Sequence, residues 1–527
     1  MSENQEQFRS LSDIKVELIS SVANAYELAV ASARTCYSGR GLIYPSEVSK
    51  DEKSIELRDR IASSTFEAGH LTTRQHAHFV FAISGVSRQF IWSFLHSHPF
   101  YNSEQVSQRY VRVKPGNFLV PNLPEAESRL FKETVAAQTT SYERLITLLR
   151  EPLAKDYYDR FKARGKTPEK WDNAINKRAF EVARYALGLG TTAYLYHTVS
   201  ALTLLRYAKL CELFETPEEQ KVVVSQMLER VKEIDPLFEK ELSDPVKLED
   251  TLEYRCKEQF RSTNWQDRSV FADEFDAELK GRVSKLVHFT TEPEKLIADA
   301  TRVALGRTRG ELSDEEALNL VVDPKSNPLL ADTFNLATID KLSQILHHVS
   351  FTFNKKISHT ADSQDQRHRT VMSSRPLMVL HYNGKPDYIT PFGITQSPAA
   401  VEEYSAIMKK SFDAVNALLS AGITPEHAFY LIPNALSIRM VSTGDLHSLQ
   451  HKWKLRACYN AQEEIFRATI DELAQVAEVA PNLTKHFKAP CYVRLRAGRK
   501  PYCPEGDKFC GLPVWKYDLP QYQRKSL

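Results

Sequence analysis

Between Gln364 and Arg375 the chain reads QDQRHRTVMSSR, which sets guanidinium groups at 367, 369 and 375 around the imidazole of His368. A guanidinium is planar, stays charged throughout the physiological range and pairs with two phosphate oxygens at once, so an Arg-His-Arg run can hold a nucleotide or a cofactor phosphate. Alone, a short basic tripeptide is more often an exposed turn. Here it follows an alternating apolar stretch and precedes Pro376, a position from which a loop can face a ligand. Other candidate groups carry less. Cys491, Cys503 and Cys510 lie with His486 near a Gly- and Pro-containing tail; four such ligands can close a zinc site, but no C-x₂₋₄-C pair is present, so the cysteines read as locally packed and no metal is assigned. His347 and His348 are adjacent, so in a strand only one, taken as His348, faces a ligand. His76 and His78 share a strand face and read as a polar strand end, and Trp92, Phe94 and Phe100 read as packing aromatics.

The elements that must position these groups come in two sets. IKVELI and a helix containing ASARTCYSGRG are answered by SKLVHF at Ser284 to Phe289 and an amphipathic helix at Pro293 to Leu305 leading into GRTRG. QHAHFVFAI is answered by LHHVSFTFN, each a histidine followed by an alternating apolar strand, and each half closes on a late helix pattern opening EVAR or EHAF. Echoes repeated in one order indicate duplication. The expected fold is α+β, two tandem copies of one unit, each a mainly antiparallel sheet with packed helices. The units run over 13–242 and 281–490, with a charged connector at 243–280 and a tail at 491–527.

Bulk properties narrow the function. A chain of 527 residues exceeds one compact core and fits two domains. With 69 basic against 67 acidic residues, the net charge of +2 disfavours a nucleic-acid coat and suits a local arginine cluster for a small anion. The opening MSENQEQFRSLSD has no apolar core, and no stretch reaches the roughly 18 apolar residues needed to cross a bilayer. A cytoplasmic location is expected. Seven scattered cysteines are not a secreted disulfide framework and are expected to be reduced.

The sequence resembles the flavin-dependent thymidylate synthases, whose signature RHRxxSxNExSxRY follows a GHxxxxEHxxFTF strand. In the first half, GHLTTRQHAHFVFAISGVSRQFIWSFLHSHPFYNSEQVSQRYV has His98, Ser107, Arg109 and Tyr110 at matching places. Ser97, Pro99, Asn102, Glu104 and Gln105 replace the family's Arg, Arg, Ser, Asn and Glu. The second half keeps Arg367, His368 and Arg369 but shortens the remainder to TVMSSRP. Further on, EVARYALGLGTTAYLYHTVSALTLLRYAKLC resembles the family's helix with its substrate-binding arginine, Arg184, but has Cys211 where the reactive-site arginine belongs. IPNALSIRMVSTGDLHSLQHKWKLRACYNAQEEIFRA reverses this: it keeps Arg456, Ala461, Gln462 and Ile465, while Phe429 takes the other arginine's place.

The family builds each site between subunits of a homotetramer, and the surviving residues sort along that division. The resemblance implies Arg456 as the catalytic residue, and Gln105, Ser107, Arg109, Arg184, Gln364, Arg367 and Arg456 as substrate ligands. It implies an FAD site from Thr72, Gln105, Arg367, His368, Arg369, His447 and His451. The implied reaction is reductive methylation of deoxyuridine monophosphate, with NADPH and methylenetetrahydrofolate as co-substrates, in a homodimer that mimics the tetramer. It needs no protein nucleophile, in keeping with the lack of a cysteine nucleophile motif. Two alternatives stay open. One is an inactive nucleotide- or flavin-binding scaffold, because Ser200, Leu202, Asp445 and His447 replace flavin-contacting residues. The other is a flavoenzyme for another pyrimidine, motivated by the altered loop Asn102 to Gln105.

Overall fold

The computed structural model describes residues 8–96, 98–212, 215–260 and 265–523; Ser97 lies outside the described residues. Among the described residues, eight strands form two antiparallel sheets. β1 (Lys15–Ser21), β2 (His78–Ser87), β3 (Asn102–Gln105) and β4 (Thr192–Ser200) lie in the order β1-β2-β4-β3. β5 (Ser284–Phe289), β6 (Ser350–Ser358), β7 (Met372–Ser374) and β8 (Ser437–Asp445) repeat it as β5-β6-β8-β7. The likeness extends to a fault in the ladder: the register slips between Leu18 and Ser20 in one outer pair and between Leu286 and His288 in the other. The molecule is therefore α+β, with two matching halves.

Period-two alternation makes the central strands. Phe79, Phe81 and Ile83 of β2, and Phe351, Phe353 and Ile357 of β6, are buried, while intervening side chains face outward. Each sheet buries its apolar face under its own helices, with Phe90, Phe94 and Met227 in the first core and Trp453, Leu473 and Val476 in the second.

A shared core joins the halves. The helix Glu125–Arg160 packs along the helix Pro398–Ser420, so Leu149 and Tyr404 fall in one apolar cluster and Phe131 and Phe412 in another. At the centre the chain from Tyr185 to Gly190 lies antiparallel to Tyr430–Ala435. Leu189 and Gly190 donate to the carbonyls of Ile432 and Tyr430 (both 2.8 Å), and Asn434 donates to Leu187 (2.8 Å). Gly188 permits this approach, since a Cβ there would sit 2.7 Å from the Tyr430 carbonyl oxygen. Beside the crossing, each half lends a tyrosine to the other. The Ser87 amide donates to the buried Glu219 carboxylate (2.6 Å), which also accepts from the Tyr430 hydroxyl (2.8 Å). The Ser358 amide donates to Glu464 (2.6 Å), which accepts from the Tyr185 hydroxyl.

Two sequence readings change, and the connector gains structure. The late helix patterns are only partly helical: EVAR closes the helix Asp172–Ala183, EHAF is the short helix Pro425–Phe429, and each leads through a turn into an inner strand, β4 or β8. Gly188, Gly190 and Pro433 break the helical period, and TAYLYHTVS alternates as a strand does. His347 and His348 sit in the 3₁₀ turn Ser343–His348 and His76 in the turn Leu71–His76, so strand-face arguments do not apply to them. His347 stacks on His447 with centroids 4.4 Å apart and lies 3.1 Å from Asp445. The stretch 243–280 carries the helices Leu252–Phe260 and Trp265–Leu279 and docks on the second half, where Arg268 donates to the carbonyls of Val379 (3.0 Å) and Tyr382 (2.8 Å) and Asp276 pairs with Arg439 (2.8 Å). Among the described residues no helix is long and apolar enough to cross a membrane.

Candidate functional site

Arginines from both halves converge where the first half's edge strand β3 meets the helices that follow β6 and β8 in the second half. β3 and the turn after it bring Arg109, whose backbone N–H is held by the Ser107 hydroxyl at 3.3 Å. The turn ending the helix Asp172–Ala183 brings Arg184. From the second half come Gln364, on the helix His359–Asp365, and Arg456, the last residue of the helix Leu446–Arg456. The Gln364 amide lies 3.3 Å from Arg109 Nη1 and 3.2 Å from Arg456 Nη1; two donors require its oxygen to face them. Arg109 also donates to the Asn460 carbonyl at 2.9 Å and pairs with Glu181 at 2.9 Å. Residues 351 positions apart in the sequence thus meet within one chain.

Charge here is concentrated and incompletely answered. Burial pulls Arg184 and Arg456 below the ordinary arginine range, and Arg88 is pulled down to about 9 by burial and by repulsion from Arg184. Burial also opposes the charge of Arg109, but Glu181 and Tyr110 outweigh it and hold that group above its usual value. Arg184 Nη2, Arg109 Nε and Arg88 Nε are buried with no hydrogen-bond partner. The nearby carboxylate Asp365 is engaged by Lys452 at 2.6 Å. Buried cations with idle donors are costly, and an anion that accepts from them removes the cost.

His368 has a defined role. Arg456 Nε donates to His368 Nε2 at 2.9 Å. A guanidinium can only donate, so this imidazole is neutral at Nε2 and carries its proton on Nδ1. Burial and Arg456 push its pKa well below the normal range, and burial lowers His451, whose ring lies 6.0 Å away, to about 4. Flanking them, Arg367 pairs with Glu104 at 3.2 Å, and Arg369 donates to Asn102 at 2.9 Å and lies over the Tyr101 ring.

The structure thus gathers Gln105, Ser107, Arg109, Arg184, Gln364, Arg367, His368, Arg369, His451 and Arg456 along one boundary. Two expected members stand apart. His447 turns its Nε2 to the Ala337 carbonyl at 3.0 Å. Thr72 is exposed in its turn, and among the described residues no hydrogen bond joins it to the arginines. Arg88 escaped sequence reading. It opens the helix Arg88–His96 and donates to the Gln105 side chain (2.7 Å) and the Val106 carbonyl (2.6 Å); an arginine directly after an apolar strand was the available signal. Trp92 packs as expected and also donates to Asp362 of the other half at 2.7 Å.

Comparison with known proteins agrees with the duplicated architecture. The family profile described as thymidylate synthase complementing protein matches twice, over residues 17–237 and 285–482. The flavin-dependent thymidylate synthase of Geobacter sulfurreducens is 27% identical over 235 residues, covering 43% of this chain and 92% of its own. That of Saccharolobus solfataricus is 29% identical over 214 residues, covering 40% and 78%. Among solved structures, a UMP/dUMP methylase PolB from Streptomyces cacaoi bound with 5-Br dUMP aligns at 21% identity and a TM-score of 0.30, covering 45% of this chain and 96% of that one. With most of its length matched in two successive segments, the chain belongs to the thymidylate synthase complementing protein family as a tandem duplicate.

Proposed function

We propose that the chain is a flavin-dependent thymidylate synthase that methylates deoxyuridine monophosphate reductively at a site completed by its two halves. The supporting observation is the convergence of buried arginines from both halves with donors left over. Arg109 and Arg184, with Ser107 and Gln105, fix the nucleotide phosphate. Arg456 lies against the pyrimidine, where its guanidinium stabilises charge developing on a carbonyl oxygen. Gln364 ties the phosphate side to the reactive side, and His368 fixes the plane of the Arg456 guanidinium by accepting from its Nε.

The donor set fits FAD: Arg367 and Arg369 are cations at the site's rim, His368 offers Nδ1, and His451 Nδ1 is buried without a partner. When bound and reduced, FAD supplies the hydride; methylenetetrahydrofolate supplies the carbon and NADPH the electrons. An inactive nucleotide- or flavin-binding scaffold is the second reading, favoured by the Glu104 and Asn102 contacts that already engage Arg367 and Arg369. An anaerobic assay with FAD, NADPH, methylenetetrahydrofolate and deoxyuridine monophosphate separates the two. Thymidylate formation that disappears in Arg456→Ala supports the synthase; flavin oxidation without thymidylate redirects the search to another pyrimidine, flavin loading without turnover leaves the scaffold, and no flavin binding leaves the resemblance as ancestry alone.

A further inference from the structure

Four of the seven cysteines, drawn from three separate segments, line one small cavity. Cys458 follows the helix Leu446–Arg456, Cys491 lies in the first turn of the helix Pro490–Arg496, and Cys503 and Cys510 flank the turn Gly506–Lys508 in the tail. All four thiols are free. The cavity encloses about 20 Å³, room for one water-sized body, and its remaining wall includes Tyr459, Phe509, Leu512 and Val514. The sequence had offered His486 as the fourth ligand with the tail cysteines. That ring is instead bound to the Tyr492 hydroxyl at 3.0 Å and lies 3.7 Å from Asp323, while Cys458, 33 positions before Cys491 in the chain, takes the fourth place.

Ordinary packing explains one buried thiol as a small apolar side chain. It does not explain four arranged around a void, because an unfilled space in a core costs stability that collapse would recover. Thiolates are the ligands of soft metals, and an all-cysteine set of four suits either one zinc ion or an iron–sulfur cluster. Spacing distinguishes them. Around one zinc the sulfurs sit about 2.3 Å from the metal, hence about 3.8 Å apart, with no space between them for a water. Here no three of the four sulfurs lie within 4.8 Å of one another, a wider set than one zinc ion gathers. A cluster, in which the thiolates are distributed over several irons, holds its ligands farther apart.

We propose that Cys458, Cys491, Cys503 and Cys510 are the protein ligands of a polynuclear iron–sulfur cluster. The centre has a structural consequence within the same loop. Asn460, two residues after Cys458, donates through Nδ2 to the Lys508 carbonyl (2.5 Å) and accepts Arg109 at its own carbonyl (2.9 Å). The cluster therefore fastens the tail to the loop that holds an arginine from the other half.

The test is chemical and does not depend on the proposed activity. Full-length protein is produced in iron-replete cells and purified without oxygen, and iron, acid-labile sulfide and zinc are counted per chain. The expected result is about two or four irons with matching sulfide. Cys503→Ser should fall to less than a fifth of that content, while Cys36→Ser and Cys256→Ser retain it. If the purified protein is metal-free, wild type is treated anaerobically with ferrous iron and sulfide, a measurement that needs no folded variant. Failure to take up both, one zinc per chain without iron or sulfide, or full iron retention in Cys503→Ser would each overturn the assignment.

Discussion

The two boundaries between the halves are related by the duplication but opposite in chemistry. On one, Arg109, Arg184 and Arg456 meet. On the other, Phe429 and Cys211 stand where the resemblance places arginines, both buried, and Arg375, which like Arg109 follows its sheet's edge strand, is bound by both oxygens of Asp362 at 2.7 and 2.9 Å. That side opens a cavity of about 790 Å³ whose lining includes Trp92, His96, Tyr254, Glu215 and Glu426. Burial pushes Glu215 up to about 7 and Glu426 up to about 8. The same strands, turns and helix ends thus present cations on one side and proton-holding carboxyls on the other. The lesson is that the fold sets where side chains meet and a few substitutions set what they attract.

The largest expected effect breaks the comparison at its reactive residue. Arg456→Ala should lower thymidylate formation by about 100-fold or more, the scale for losing a donor to developing charge, whereas Cys211→Ala at the opposite boundary should leave the rate within about two-fold; equal losses measured in the same steady-state assay would dissolve the distinction. Because Arg109 and Arg456 meet within one chain, mixing Arg109→Ala chains with Arg456→Ala chains should restore no turnover. Recovery after mixing would place the working site between chains instead.

Acidity sharpens the contrast. Glu215, Glu219 and Glu426 have folded pKa values near 7, 7 and 8, raised by burial from 4.5. Between about pH 5 and 8 the folded chain keeps protons that the unfolded chain has released, so their contribution is full below 4.5 and lost as pH rises through 7 to 8. Asp362 behaves oppositely: burial raises its pKa, but Arg375 and His96 outweigh this and hold it near 2, so its contribution is present above 3.8 and lost below 2. Removing the Glu426 carboxyl removes its share of this loss, so between pH 5.5 and 8.5 the melting temperature of Glu426→Gln should rise relative to that of wild type; a difference between the two that stays constant across this range would contradict the assignment.

A smaller effect tests the symmetry itself. Tyr185→Phe and Tyr430→Phe each remove one donor to a buried carboxylate, and each should cost about 1–3 kcal/mol in denaturant unfolding. A large cost for only one would show that the halves depend on each other unequally. Smallest is Glu104→Gln, which removes an exposed partner of Arg367. Stability should change by less than about 1 kcal/mol, while FAD titration should show tighter binding because a cation is released.

Sequence disclosed the duplication and the division of arginines because both are written locally, as alternating strands and short motifs. It under-read β4 and β8, because helices flank each apolar run and mask the glycine and proline breaks and the period-two alternation that mark a strand. Arg88 was hidden for a related reason: its meaning depends on Gln105, brought alongside by β3 and β4. Cys458 carries no spacing signal, because it joins the tail cysteines only in space, from the end of a different helix. Chemistry assembled by tertiary approach leaves little trace in spacing.

The antiparallel crossing of Tyr185–Gly190 with Tyr430–Ala435 has a further consequence in mass-action terms. In an assembly of separate subunits such a seam would dissociate on dilution, and any substitution would strike every copy of it. Within one chain its closure is unimolecular, governed by an effective concentration that the intervening polypeptide sets and dilution cannot change. A mutation on one side of the seam is also inherited alone. That independence lets the two boundaries carry different side chains, as Arg109 and Arg456 on one and Phe429 and Cys211 on the other do.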